Sequence, residues 1–361
     1  MIVRDEEQNI RRCLDSVKDS VDEMIIADTG STDQTKAVCR EYGAQVFDFP
    51  WKENFADARN FSLEKAQGDW ILWLDADEAA EITDFPSFKA SLNGEKDPMI
   101  RIPMMHFYGK DPPEERRTYL SSAVRLFRRE SGIRFAGNIH EHLVSSVPGF
   151  PIPTKANRTI RILHYGYMES AWKRKDGRNL DLLRKEKLER PDSAWLYYHL
   201  AAEYHRSGKE ADAFQSVNRS IIGFLRKNLL PPSLVYKLKY DILTASGNYE
   251  TVNSGIEKAI SLYPDYVDLR FYQGIAQIAM GEYEKAEQTF SCCLILGESN
   301  PDYLILKGTG SFLSLYCLGF CHEKRGKPEE AKEAFRQAEE LDPGLDCTIS
   351  SGLWNFIEKK S

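Results

Sequence analysis

The chain has 361 residues, enough for two domains that each bury a core, and 42% hydrophobic with 29% charged residues is the composition of an ordinary folded protein. A formal net charge of −7 without a basic block argues against nucleic acid as a general partner. Seven cysteines without a Cys-x-x-Cys pair read as reduced thiols of a cytoplasmic protein, and the charged start and lack of any 18-residue apolar run predict neither a secretion signal nor a membrane span.

In chain order, Met1-Ile2-Val3 reads as the tail of a buried strand, followed at once by Arg4, Asp5, Glu6 and Glu7. Ile10, Leu14 and Val17 recur at helical spacing. Residues 23–27 form a short buried strand that stops at Asp28-Thr29-Gly30-Ser31-Thr32-Asp33, where Gly30 permits a tight turn and Ser31 or Thr32 can cap the next helix. Such a joint is ordinary structurally, although Asp28 at a strand end could also accept a hydrogen bond from a base N–H. Residues 45–49 supply a further strand. Residues 55–66 give a helix with Phe55, Ala58, Ser62 and Ala66 on one stripe, and Arg59 and Asn60 beside it. An arginine there is either a solvated surface residue or a fork aimed at phosphate.

The run Trp70-Ile71-Leu72-Trp73-Leu74 then suits a strand buried on both faces and ends at Asp75-Ala76-Asp77-Glu78. In an extended segment Asp75 and Asp77 share a side, and a divalent cation held with a diphosphate would relieve their repulsion. A polar strand end before a helix cap is the plainer alternative for so short a motif. The alternation of strand and helix predicts a Rossmann-like α/β domain with a mostly parallel sheet.

These segments, Val3-Arg4-Asp5-Glu6-Glu7, Asp28 to Asp33, Phe55-Ala-Asp-Ala-Arg59-Asn60 and Leu74-Asp-Ala-Asp-Glu78, resemble in order and spacing the family-2 glycosyltransferases with a GT-A fold. In that family the first strand begins several residues earlier than Met1 allows. The resemblance implies that Val3, Asp5 and Glu6 line a base pocket, that Asp28 binds a uracil-like base, and that Arg59 holds the nucleotide or its diphosphate. It further implies that Asp75 and Asp77 serve ribose and metal, Asp77 being the better match to the metal-binding aspartate.

Residues 100–104 and 123–128 read as strands, the second carrying Arg125 where it could face inward toward the nucleotide site, and the polar stretch 110–120 between them reads as a lid. His140-Glu141-His142 lacks the spacing of a helical zinc site. The resemblance makes Glu141 the candidate general base beside the acceptor, with a solvent-exposed polar turn as the alternative. His164 closes the apolar run Arg161-Ile-Leu-His164 and is either structural or, as in some members of the resembling group, a third metal ligand after Asp77 and Asp75.

Residues 173–190, basic with Leu180, Leu183 and Leu188 interleaved, predict a bridging helix with its charged face in solvent. Gly208, Gly247, Gly281 and Gly326 then recur near a 34-residue period. Gly319, Ala331, Phe335 and Pro343 complete the clearest unit, Gly274, Ala286 and Phe290 repeat it, and Val252 replaces the expected alanine in another. These units resemble TPR repeats, whose stacked pairs commonly receive peptide, brace a domain or form a homo-oligomer.

The sequence thus predicts a GT-A domain at 1–170, a bridging helix at 171–190 and an all-α TPR solenoid at 191–350. The pairing resembles the bacterial sublancin-type peptide S-glycosyltransferases. It implies an inverting enzyme using Mn²⁺ or Mg²⁺ and a nucleotide-sugar, UDP-linked by first choice, with a peptide or protein acceptor. A glycan or lipopolysaccharide-core acceptor, a nucleotidyltransferase, and a non-catalytic TPR scaffold with a vestigial sugar-nucleotide fold are the rivals.

Overall fold

A computed structural model describes residues 1–137, 141–145, 159–171 and 178–345. It divides into two units, Met1–Arg174 and Lys175–Ser361.

The first unit opens with three parallel strands, β1 (Ile2–Val3), β2 (Ile25–Asp28) and β3 (Gln45–Asp48), joined by α1 (Ile10–Asp15) and α2 (Thr35–Glu41). Apolar positions of these helices meet the sheet: Ile10, Leu14, Val38 and Cys39 pack with Val3 and Ile26. Next come α3 (Phe55–Lys65), β4 (Trp70–Leu72), β5 (Glu78–Ile82) and α4 (Phe85–Asn93). A long hairpin of β6 (Met99–Gly109) and β7 (Thr118–Arg128), the pair β8 (Ile133–Ala136) and β9 (His142–Ser145), and β10 (Ile160–Met168) complete the unit.

Among the described residues of this unit, the first three strands pair in parallel, as do β6 and β10. The pairs β4 with β7, β6 with β7, β5 with β10 and β8 with β9 are antiparallel, so the unit holds a small parallel sheet, a larger mixed sheet and a two-stranded antiparallel sheet rather than one mostly parallel sheet. The hairpin is the reason: a tight reversal forces antiparallel neighbours, whereas a helical crossover permits parallel ones. It also narrows the expected lid. Thr118, Tyr119 and Leu120 pair with Phe107, His106 and Met105, and the connecting turn is drawn in by Glu114, which pairs with Arg116 at 2.6 Å and with Arg117.

Strand β1 covers Ile2 and Val3. The Met1 ammonium donates to the Ile25 carbonyl at 2.9 Å within an apolar slot lined by Leu14, Val17, Ile26, Trp70 and Leu74, and burial pushes its pKa down to about 6.

The second unit starts with α5 (Arg178–Glu189), which buries Leu183 but leaves Leu188 exposed. Four helix pairs follow: α6 (Ala194–Arg206) with α7 (Glu210–Arg226), α8 (Ser233–Ala245) with α9 (Tyr249–Leu262), α10 (Val267–Ala279) with α11 (Tyr283–Leu296), and α12 (Phe312–Lys324) with α13 (Pro328–Leu341). Each pair turns at one of the spaced glycines, Gly208, Gly247, Gly281 and Gly326, with φ between 68° and 74°, a left-handed conformation that favours glycine. Ala213, Val252 and Ala286 are fully buried, and a Cβ on Gly274 would lie 2.5 Å from the Phe290 ring, so this pair of helices relies on that missing side chain.

The longer spacing before the last pair comes from an inserted segment, 297–311. Glu298 accepts from the Gly308 and Gly310 amides and the Ser311 hydroxyl, at 2.7, 2.9 and 2.8 Å. Buried Asp268 accepts from the Leu306 amide, the Thr309 hydroxyl and the Lys237 ammonium.

Candidate active site

The carboxyl end of β2 delivers Asp28, which is 1% exposed. Its Oδ2 accepts from the Gly30 and Ser31 amides, both at 3.0 Å, and Lys36 Nζ stands 3.9 Å away. Its Oδ1 is buried without a hydrogen-bond partner among the described residues. A buried carboxylate oxygen left in that state is an acceptor that a ligand N–H would satisfy.

Val3, Asp5 and Glu6 frame the same edge, but their polar groups are spent on protein. The Val3 carbonyl accepts from the Thr29 amide and hydroxyl. Asp5, held at a φ of 52°, accepts from the Thr32 amide at 2.7 Å, while the Glu6 carboxylate accepts from Asn9. The Val3 carbonyl and the Asp5 side chain therefore tie the segment after β1 to the loop after β2, while the Glu6 carboxylate serves its own segment.

Asp75 and Asp77 separate, contrary to the expectation that they share a side. Residues 73–77 lie outside the strands and form a turn closed by the Glu78 amide donating to the Asp75 carbonyl at 3.0 Å, so strand alternation does not apply. Asp75 Oδ1 meets Arg59 Nη1 at 2.8 Å and its Oδ2 lies 3.9 Å from Arg125. Burial would raise the Asp75 carboxyl, yet the two guanidiniums hold it well below the usual carboxylate range. Asp75 is thus a partner of arginines and not a ready metal ligand. Asp77 Oδ1 instead faces His164 Nε2 at 3.8 Å.

Arg59 and Arg125 carry the positive charge. Helix α3, capped by the Asn54 side chain on the Asp57 amide, buries Arg59, and Asn60 beside it clasps Phe135 of β8 through two 2.9 Å backbone bonds. Arg59 Nε is ion-paired with Glu141 Oε1, so one guanidinium bridges Asp75 and the candidate base. Arg125 donates to Glu78 at 2.7 Å and lies 3.7 Å over the Trp73 ring, while its Nε and Nη1 find no hydrogen-bond partner among the described residues. Arg59 lies 4.7 Å from the centroid of that ring, so both guanidiniums meet Trp73 as well as Asp75. Burial pushes the Glu78 carboxyl upward against the pull of Arg125. With all groups ionised, four carboxylates (Asp75, Asp77, Glu78, Glu141) against two guanidiniums leave a formal charge of −2 at this end of the sheet.

Asp77 and His164 together could hold a cation. Gly166 backs onto both: a Cβ there would lie 2.5 Å from His164 Nε2 and 2.7 Å from Asp77 Oδ2. A carboxylate oxygen suits Mn²⁺ or Mg²⁺, and an imidazole nitrogen beside it favours Mn²⁺ over the harder Mg²⁺. No three His, Cys, Asp or Glu side chains among the described residues converge on a metal position, so any cation here would need ligand oxygens as well.

His106 adjoins His164 with Nδ1 to Nδ1 at 3.0 Å, and its Nε2 meets Ser121 Oγ at 2.8 Å. Burial, with the nearby His164 and Arg125, lowers the His106 pKa well below its ordinary value. Sequence reading missed Trp73, His106, Ser121 and Gly166; a histidine inside the apolar run of β6 was the one local signal. His140 lies outside the described residues, so only Glu141 and His142 of that motif are placed.

Residues 1–142 match the family described as Glycosyl transferase family 2, and residues 312–345 match the Tetratricopeptide repeat. The chain therefore carries a family-2 glycosyltransferase domain followed by a helical region containing a tetratricopeptide repeat. Among curated proteins it is similar to a TPR repeat-containing protein of Synechococcus elongatus, 29% identical over 277 residues that cover 74% of this chain and 66% of that one. The glycosyltransferase SunS of Bacillus subtilis is 27% identical over 293 residues, covering 76% of this chain and 64% of SunS. An uncharacterized glycosyltransferase of Rickettsia typhi is 30% identical over 150 residues, 41% of this chain and 51% of that protein. The chain spans just under two thirds of the length of the first two relatives.

Proposed function

We propose that this chain is an inverting glycosyltransferase that moves a sugar from a UDP-linked donor to a peptide or protein acceptor. The observation that carries the reading is the bridge made by Arg59, which joins Asp75 of the Asp-x-Asp turn to Glu141 and so sets donor-side and acceptor-side groups in one buried cluster. The likeness to SunS and the helical repeats support a peptide or protein acceptor, and the free cysteines among the described residues suit a cytoplasmic setting.

In this reading Asp28 accepts a base N–H, Arg59 and Arg125 grip the diphosphate, and Asp77 and His164 would hold a divalent cation. When bound, that cation supplies charge neutralisation for the leaving group. Diphosphate binding at Arg59 draws the guanidinium from Glu141 and frees the carboxylate to take the acceptor's proton. The acceptor atom forms its bond to the anomeric carbon as the bond from that carbon to the diphosphate oxygen breaks. The electron pair and the nucleoside diphosphate leave on the opposite face.

The test is donor hydrolysis across UDP- and GDP-sugars, with Asp77→Ala as the control. Turnover that persists in Asp77→Ala would remove the cation from the reading. Glu141→Gln should keep UDP affinity and lose turnover by about 100-fold or more; an unchanged rate discards Glu141 as the base.

A further inference from the structure

His106 and His164 are direct partners across the parallel strands β6 and β10, so their side chains leave the same face of the sheet side by side. Ser121 on β7 completes a line that runs Ser121 Oγ, His106 Nε2, His106 Nδ1, His164 Nδ1, and then from His164 Nε2 to Asp77. Tyr167, beyond the register shift in β10, stacks on the His106 ring and meets the His164 ring edge-on, which fixes both planes.

The protons along this line are constrained by chemistry. A ring nitrogen can hold a metal only through its lone pair. If His164 presents Nε2 to a cation shared with Asp77, its proton sits on Nδ1 and must be donated. The Nδ1 of His106, 3.0 Å away, must then accept, which places the His106 proton on Nε2, where it is donated to Ser121 Oγ at 2.8 Å. Each atom in the chain has one role compatible with its neighbours.

We infer that His106, backed by Ser121, is a positioning residue that fixes the tautomer and ring orientation of His164 for cation binding, through the contact His164 Nδ1–H to His106 Nδ1. The inference rests on the proposed cation site at Asp77 and His164. It assigns to His106 and Ser121 the outer-shell work that carboxylates or carbonyls do at other metal-binding histidines.

Two measurements on the full chain test it. Long-range ¹⁵N–¹H spectra of histidine-labelled protein, recorded without metal, should show His164 with its proton on Nδ1 and His106 with its proton on Nε2. Manganese binding in the presence of UDP, read by electron paramagnetic resonance, should weaken by about 10- to 100-fold in His106→Phe, which keeps a ring but offers no acceptor. His106→Asn returns an acceptor oxygen near the Nδ1 position and should recover most of the affinity, and Ser121→Ala should show a smaller loss than His106→Phe. A wild-type His164 carrying its proton on Nε2, or His106→Phe binding manganese as the wild type does, overturns the inference while the cation site stands. A wild-type chain that binds no manganese with UDP overturns the cation site itself and the inference with it, so the two failures are told apart.

Discussion

Asp28→Asn separates a ligand-binding carboxylate from a loop staple. Oδ2 of Asp28 accepts two amides at 3.0 Å, from Gly30 and Ser31, so an asparagine must keep its carbonyl oxygen there. Its NH₂ then occupies the position of Oδ1, which is buried and has no hydrogen-bond partner among the described residues. The substitution converts an acceptor into a donor at the point where a base N–H would arrive. A hydrogen bond to a charged group contributes about 1.5–3 kcal/mol, so UDP affinity should fall by roughly 10- to 100-fold. Stability should hold or rise, because both amide bonds are kept and a buried charge is removed. Calorimetric titration with UDP and manganese, alongside thermal unfolding, reads both quantities. An Asp28→Asn chain that binds UDP like the wild type, or that unfolds several degrees earlier, would show that Asp28 serves its loop alone.

Three further outcomes follow from separate parts of the molecule. Gly166→Ala places a methyl group 2.5 Å from His164 Nε2 and 2.7 Å from Asp77 Oδ2; overpacking of about 1–3 kcal/mol should appear as weaker manganese binding by roughly 5- to 100-fold, and unaltered binding would mean that the two side chains give way freely. Asp268→Ala removes the carboxylate from the buried Lys237 ammonium, which keeps Tyr272 Oη at 3.2 Å, and the acceptor from the Leu306 amide, and should cost about 3–5 kcal/mol in urea unfolding, a loss below about 1 kcal/mol counting against a structural role for the pair. For His205, burial lowers the pKa but Asp241 and Glu210 outweigh it, so the folded value lies above the unfolded one. Its stabilisation is then fully present below about pH 6.5 and is lost as pH rises through the folded pKa, so denaturation curves of wild type and His205→Gln should converge toward alkaline pH. Curves that stay parallel across that window would remove the imidazolium from the account.

What the sequence reveals about this protein divides along the range of the interactions involved. The repeat turns are legible because each needs one glycine with a positive φ, a requirement met within a few residues of chain. Asp28, Arg59 and Asp77 stand out for a similar reason, since each ends or flanks a short apolar segment. Strand β5, Glu78–Ile82, does not: alanine and glutamate are poor strand formers, and the segment is extended because Ile160 to His164 pairs with it from eighty residues away. The long hairpin is blurred likewise, since β6 is buried on both faces along much of its length and shows no alternation.

The same division decides how the candidate site is wired. Local spacing predicts that Asp75 and Asp77 act together, but the turn between them frees each to answer a different distant partner. Asp75 goes to arginines supplied by α3 and β7, and Asp77 to a histidine supplied by β10. One short acidic motif is thereby split between two partners: Asp75 holds guanidiniums, which in the proposed reading turn to phosphate, and Asp77 faces the histidine with which it would hold a cation. That split resolves a difficulty in the bare motif: two adjacent carboxylates repel, and placing permanent positive charge against one of them lowers the repulsion before any metal or donor arrives. Asp75 can therefore stay ionised at neutral pH without a cation, and in the proposed reading cation affinity would rest on Asp77, His164 and the ligand's own oxygens.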